Sequence, residues 1–280
     1  MEYIVLSNGV KMPKLGYGTN KVSDPIEGKQ IFLNAIKTGY RLFDTAQVYG
    51  NEQIVGEAIK ESGIPREEFF ITTKIRFRNH ENPIPRLEES FKNLQTDYLD
   101  LVLIHWPYGD YHNAYRVLED YYQKGKIRAI GVSNFEPARY IDLVQSVEIP
   151  PMVNQIEVNV YAQRNDEMKW YEKYNAVIEA YCPLGHGVTP ELMEEEILVR
   201  IGKKYNKTSA QVALRWLLER GIIAIPKSAN EKRMRDNFEL FDFSLTKEEM
   251  EEIKTLDKKY PVVGRPDDPL IVEKMYAKNE

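Results

Sequence analysis

The feature that most constrains this 280-residue chain is an alternation. Short apolar runs recur at 15–18, 42–44, 70–73, 99–104, 127–132, 152–156, 176–179 and 222–225, each of a length suited to a buried strand. Most are separated by stretches with the apolar spacing of an amphipathic helix, at 26–38, 52–61, 85–94, 114–124, 137–144 and 166–174, and a longer helical region runs from 194 to 220. Strands that alternate with helices imply a parallel sheet with helices over its faces. About eight such units suit a closed (β/α)8 barrel, which typically takes about 250 residues, better than an open sheet. No low-complexity linker or composition break interrupts the pattern, so 1–280 is expected to form a single domain.

Two local signals refine this. Residues 3–7 and 10–12 flank Asn8-Gly9, which predicts a β-hairpin with a type I′ turn ahead of the alternation. Thr208 followed by Gln211, and Thr246 followed by Glu249, have capping-box spacing. They start a second helix within 194–220 and a further helix after the last strand, ahead of a Pro/Gly/Asp-rich tail.

A net charge of −5 lacks the basic excess that a phosphate-tracking surface needs, so nucleic acid is not an expected partner. Cys182 is the single cysteine, which excludes an internal disulfide and gives no sign of an oxidising compartment. The start, Met1-Glu2-Tyr3, lacks the basic and apolar regions of a secretory signal. No apolar run approaches the roughly 20 residues of a membrane span. A cytoplasmic protein with no membrane partner is expected. His80, His105, His112 and His186 have no familiar ligand spacing, so no metal site is expected. An open dinucleotide-binding fold fails as well. Gly16-Tyr17-Gly18 continues as Thr19-Asn20-Lys21, and neither it nor Gly185-His186-Gly187 completes a Gly-x-Gly-x-x-Gly turn.

In a barrel, chemistry gathers where the strands end at their C-terminal side. The second strand ends in Asp44 with Tyr49 just beyond it, the third in Lys74 and the fourth in His105. Singly, each has a structural explanation as a turn residue, a packing aromatic, a solvated ammonium or a satisfied histidine. Together they would bring an acid, a phenol, an ammonium and an imidazole to one rim. A hydrolase built on paired carboxylates, Glu157 and Glu179, is the competing reading, and it needs both acids to face one site.

The stretches Asp44-Thr45-Ala46-Gln47-Val48-Tyr49-Gly50-Asn51-Glu52, Thr73-Lys74 and Leu103-Ile104-His105-Trp106-Pro107 resemble the aldo-keto reductase family. So do Gly131-Val132-Ser133-Asn134-Phe135, Asn154-Gln155-Ile156-Glu157 and Ile225-Pro226-Lys227-Ser228 with Arg233 and Asn237. Order and spacing match over nearly the whole chain, and the likeness is to the bacterial-type, diketo-gluconate and methylglyoxal reductase-like branch. The resemblance implies a TIM barrel with the N-terminal hairpin as a plug, NADPH or NADP as cofactor and a small-molecule carbonyl substrate. It implies a catalytic tetrad of Asp44, Tyr49, Lys74 and His105. The cofactor would be held at the nicotinamide end by Gly18, Thr19, Asn20, Asp44, Ser133, Asn134, Gln155 and Tyr181. Pro183, Leu184 and Gly185 would cross the pyrophosphate, and Lys227, Ser228, Arg233 and Asn237 would hold the phosphorylated adenosine. Substrate would meet Tyr49, His105, Trp106 and Arg76. A monomer or a dimer is expected, and a non-catalytic NADP-binding protein on the same fold is the alternative.

The chain departs from many family members at Asn20 and Arg76, where an aromatic is common, and at His186, which puts phosphate contacts there in question. It has a short loop after Trp106. The site is therefore expected to be open and more cationic than usual. Arg265 lies in the tail, either folded over the rim or exposed to solvent.

Overall fold

The computed structural model describes residues 1–187 and 189–277. The side chain of His186 lies outside that description, and with it His186's place in the histidine set and its bearing on phosphate contacts. A hairpin, β1 (Tyr3–Val5) and β2 (Lys11–Pro13), precedes the alternation. The barrel strands follow as β3 (Gly16–Gly18), β4 (Leu42–Asp44), β5 (Phe70–Ile75), β6 (Leu99–Ile104), β7 (Ile127–Ser133), β8 (Val153–Glu157), β9 (Val177–Tyr181) and β10 (Ile223–Ala224). They form one eight-stranded sheet in sequential order with parallel pairing throughout. A parallel bridge between Leu15 and Ala224 joins the two edges, and Gly18 N–H donates to the Pro226 carbonyl at 3.1 Å, so the sheet closes on itself as a barrel. Closure abolishes the exposed edges an open sheet would leave.

The helices are α1 (Pro25–Thr38), α2 (Glu52–Glu61), α3 (Ile84–Asn93), α4 (Tyr111–Gln123), α5 (Pro137–Val144), α6 (Asn165–Glu172), α7 (Glu196–Tyr205), α8 (Ser209–Glu219), α9 (Glu231–Phe238), α10 (Lys247–Lys254) and α11 (Pro269–Ala277). Both expected capping boxes form, at Thr208 before α8 and Thr246 before α10. α9 and α11 were not expected. α9 buries only Met234 and Asn237, and α11 buries none of its residues, so neither carries the apolar stripe by which a helix is read from sequence.

The hairpin packs against the N-terminal end of the barrel. Leu6 and Met12 join the core, and Asn8 Nδ2 donates to the Arg128 carbonyl at 2.9 Å, at the start of β7. Its turn differs from the expected type I′. Only Gly9 has positive φ there (+87°), Gly9 N–H donates to Leu6 O, and Leu6 N–H donates to Val10 O. This is a type I turn closed by a left-handed glycine, the three-residue alternative that the same Asn-Gly pair permits.

Candidate active site

At the C-terminal end of the barrel the sequence-predicted polar residues converge. Asp44 ends β4, Lys74 lies in β5, His105 follows β6, and Tyr49 closes the short 3-10 turn Gln47–Tyr49 between β4 and α2. Lys74 is fully buried and its Nζ donates to Asp44 Oδ1 at 2.6 Å and to the Thr45 carbonyl at 2.9 Å. The same ammonium lies 5.1 Å from the centre of the Tyr49 ring. Tyr49 meets His105 edge to face, with ring centres 5.8 Å apart.

Supporting hydrogen bonds hold this geometry. Asn51 Nδ2 donates to the Thr19 and Val22 carbonyls, and Thr45 Oγ1 donates to Asn51 Oδ1. Gln47 Oε1 accepts from Arg76 N–H, which ties the Tyr49 turn to the loop after β5. Thr73 Oγ1 donates to the buried Glu52 at 2.6 Å. Most of the polar residues of the 44–52 stretch are thus engaged in holding the loop.

Burial works against the charge on Lys74, but Asp44 beside it, with Tyr49 and Glu179, holds the ammonium above the ordinary lysine value. It therefore stays a cation in the interior. Packing pushes the Tyr49 phenol up, while the charge and hydrogen bonding of Lys74 act to pull it down. Burial, then the charges of Lys74 and His80, push His105 well below the usual histidine value, so the imidazole is neutral. A neutral imidazole offers one N–H donor and one acceptor.

From this floor a cleft of about 1190 Å³ runs across the rim. Tyr49, His105, Trp106, Arg76 and Asn20 line one end of it. Asp44, Ser133, Asn134, Gln155 and Tyr181 line its middle, Pro183 and Leu184 a bridge across it, and Lys227, Ser228, Arg233 and Asn237 the far end. Gly18 also faces it. A Cβ there would meet the Ile225 carbonyl at 3.0 Å, so glycine permits β3 to leave the barrel close against the strand exit of β10. Asn134 is a hub. It adopts left-handed backbone (φ +65°), donates from Nδ2 to the His105 carbonyl at 3.0 Å, and accepts the Tyr181 hydroxyl at 2.8 Å.

Some of the sequence-predicted residues do not reach the cleft. Thr19 is fully buried, and its hydroxyl is spent on the Asp44 carbonyl at 2.9 Å, so it braces the loop. Gly185 is buried in the strap beside the cleft, where its carbonyl accepts the Thr189 hydroxyl. Lys74 lies behind Tyr49 and does not line the cleft itself. Arg265 pairs outward with Glu167 at 3.7 Å.

Of the two courses open to the tail in sequence, it takes the one over the rim, and it brings residues that the sequence reading did not name, Val263 and Met275, into the cleft wall with Lys21, Val48, Phe77 and Arg78. Several contacts anchor the tail. Buried Glu157 accepts Val262 and Val263 N–H at 2.7 and 2.8 Å, the Tyr108 hydroxyl donates to the Pro266 carbonyl at 2.8 Å, the Arg78 guanidinium donates to the Tyr276 carbonyl at 2.8 Å, and the Tyr276 hydroxyl accepts Gly109 N–H at 3.1 Å. The acid at 157, set aside in sequence as half of a carboxylate pair, was the available signal for the first anchor. Glu157 and Glu179 do not form that pair, because Glu179 bonds Gln155 instead and neither acid lines the cleft.

A model of the Aldo/keto reductase family matches residues 14–258. A curated relative, the glyoxal reductase of Bacillus subtilis, is 44% identical over 270 residues, covering 95% of this chain and 97% of its own. The solved structure of an aldo-keto reductase from a Medee basin deep-sea metagenome library is 41% identical with a TM-score of 0.91, covering 95% of this chain and 98% of that one. The Bombyx mori aldo-keto reductase, solved in complex with NADP, is 35% identical with a TM-score of 0.89, covering 97% of this chain and 96% of that one. This chain belongs to the aldo/keto reductase family.

Proposed function

We propose that the chain catalyses NADPH-dependent reduction of small polar aldehydes and ketones to alcohols, with Tyr49 as proton donor. The observation that carries this is the buried Lys74–Asp44 pair set behind a phenol at the floor of an open cleft. A module that only bound a dinucleotide would have no use for that pair. When bound, NADPH supplies the hydride from nicotinamide C4 to the carbonyl carbon.

The residues present fit that cofactor. Lys227 and Arg233 are exposed at the far end of the cleft, where cations suit a 2′-phosphate. Ser133, Asn134 and Gln155 offer the paired donors and acceptors that a carboxamide needs, and the Tyr181 ring offers a face for stacking. The Bombyx relative, which binds NADP, supports the same reading.

The proton side belongs to this chain. Tyr49 gives its phenolic proton to the carbonyl oxygen as the alkoxide develops, and the adjacent Lys74 ammonium stabilises the phenolate left behind, which regains a proton from water. Asp44 fixes the ammonium, and neutral His105 directs an N–H to the carbonyl oxygen. Positioned acid catalysis of this kind contributes about 10²–10⁴-fold.

The substrate end supports small polar carbonyls. Asn20 and Arg76 stand where apolar walls are common in the family, and the Bacillus relative is named for glyoxal, a small dicarbonyl. Every group invoked comes from one copy, so we read the chain as a monomeric, single-domain enzyme over 1–280, acting in the cytoplasm. No helix among the described residues is long and apolar enough to cross a membrane. The test is NADPH and NADH oxidation against glyoxal, methylglyoxal, keto acids and bulky apolar ketones. The proposal expects turnover of the small carbonyls with NADPH; turnover confined to bulky apolar ketones, or none at all, overturns it.

A further inference from the structure

Beneath the cleft lies an acid that the proposed chemistry does not use. Glu179 is fully buried in β9, opposite Gln155 of β8 and Ile223 of β10. Its Oε2 accepts Gln155 Nε2 at 2.7 Å, and its Oε1 is buried without a hydrogen-bond partner. The same Nε2 donates to Asp44 Oδ2 at 2.8 Å. Both donors of the Gln155 amide are thus spent on carboxylates. Ionised carboxylates only accept, so while both acids are ionised the amide cannot turn over without setting oxygen against oxygen. Its Oε1 is left as the acceptor for whatever lies against Gln155 in the cleft. Glu179 sits one hydrogen bond behind that wall.

The charges around Glu179 do not balance. Asp44 on β4 and Lys74 on β5 face it, so two carboxylates share one ammonium. β10 contributes only Ile223 and Ala224. The other acid of β8, Glu157, is engaged by the tail amides, and His105 is neutral. Tyr49 lies beyond Lys74.

We propose that Glu179 is a positioning residue of the nicotinamide end that fixes the Gln155 amide and whose charge lets the site discriminate oxidised from reduced cofactor. This rests on the reading of Ser133, Asn134 and Gln155 as the carboxamide holders. Oxidised nicotinamide carries a positive charge that the reduced ring lacks. An ionised Glu179 attracts that charge and a protonated one does not. By linkage, binding of the oxidised cofactor expels the Glu179 proton. Burial and the neighbouring Asp44 charge hold the Glu179 carboxyl above the usual carboxylate range, which brings its titration toward working pH. Affinity for NADP+ relative to NADPH therefore rises with pH. The ratio of the two cancels the titration of the 2′-phosphate, which both carry.

The experiment measures Kd for NADP+ and for NADPH by fluorescence quenching from about pH 6 to about pH 9, in the wild type, Glu179→Gln and Gln155→Ala. In the wild type, Kd(NADP+)/Kd(NADPH) falls by about tenfold across the range, the size of a modest coulombic term. It stays flat in Glu179→Gln, and Gln155→Ala weakens both cofactors. Calorimetry of the wild type in buffers of different ionisation enthalpy detects more proton release with NADP+ than with NADPH, and the excess disappears in Glu179→Gln. A wild-type slope retained in Glu179→Gln, or equal proton release with the two cofactors, overturns the role of Glu179. Unchanged binding of both cofactors by Gln155→Ala overturns instead the carboxamide reading on which it rests.

Discussion

Lys74 and Asp44 meet at 2.6 Å with side-chain exposures of 0% and 3%. A charge pair this deep costs desolvation on both sides, and removing one partner leaves the other uncompensated, typically at about 3–5 kcal/mol. The pair lies behind the Tyr49 ring, where the proposed proton donation draws on it.

Replacing Lys74 by Met should therefore do two things. Stability by chemical denaturation should drop by about 3 kcal/mol or more, because Asp44 keeps only the Gln155 amide. Carbonyl reduction by the folded fraction should fall at least about 10²-fold. A folded variant with near-normal kcat would show that the ammonium does not support the phenol.

Much of this was legible in the sequence, for identifiable reasons. The strands were readable because parallel strands buried on both faces carry continuous apolar runs, as residues 101–104 of β6 do. Asp44, Lys74 and His105 stood out because polar residues that end such runs must have something to do at the rim. The tail was readable only as two alternatives, over the rim or out to solvent. α11 buries no residue of its own, and the docking of the tail depends on contacts far apart in sequence, such as Tyr276 with Gly109, Tyr108 with Pro266 and Glu157 with two distant amides, which local periodicity does not encode. The place of Thr19's hydroxyl was not readable either, because a polar residue in a loop can serve the loop itself: it is turned inward to Asp44 O.

The tail anchor can be tested separately from the chemistry. Glu157→Ala removes the acceptor of the Val262 and Val263 amides and should loosen the wall formed by Val263 and Met275. KM for carbonyl substrates should rise several-fold, roughly 1–2 kcal/mol of lost support, with little change in NADPH affinity. Limited proteolysis should cut the tail faster. Equal proteolysis and unchanged KM would mean that the tail is held elsewhere.

Arg233→Ala should raise Kd for NADPH far more than Kd for NADH. Loss of one charge-assisted contact commonly costs about 1.5–3 kcal/mol, or roughly ten- to a hundredfold. Parallel losses for both cofactors would assign Arg233 to packing and not to the 2′-phosphate.

Arg76 borders the substrate end beside Tyr49 and His105. If its guanidinium helps to receive a carboxylate, Arg76→Ala should lower kcat/KM for a keto acid by about tenfold relative to a matched neutral ketone. A ratio that does not move on substitution removes Arg76 from substrate recognition.

Tyr49→Phe tests the central claim most directly. Phe preserves the ring that packs edge-on to His105 and near Lys74 and removes only the hydroxyl. The measurement is single-turnover reduction of methylglyoxal by bound NADPH, alongside Kd for NADPH. The account predicts an unchanged Kd and a rate lowered by at least about 10²-fold; a rate within a few-fold of wild type would contradict it, because the proton would then come from another group.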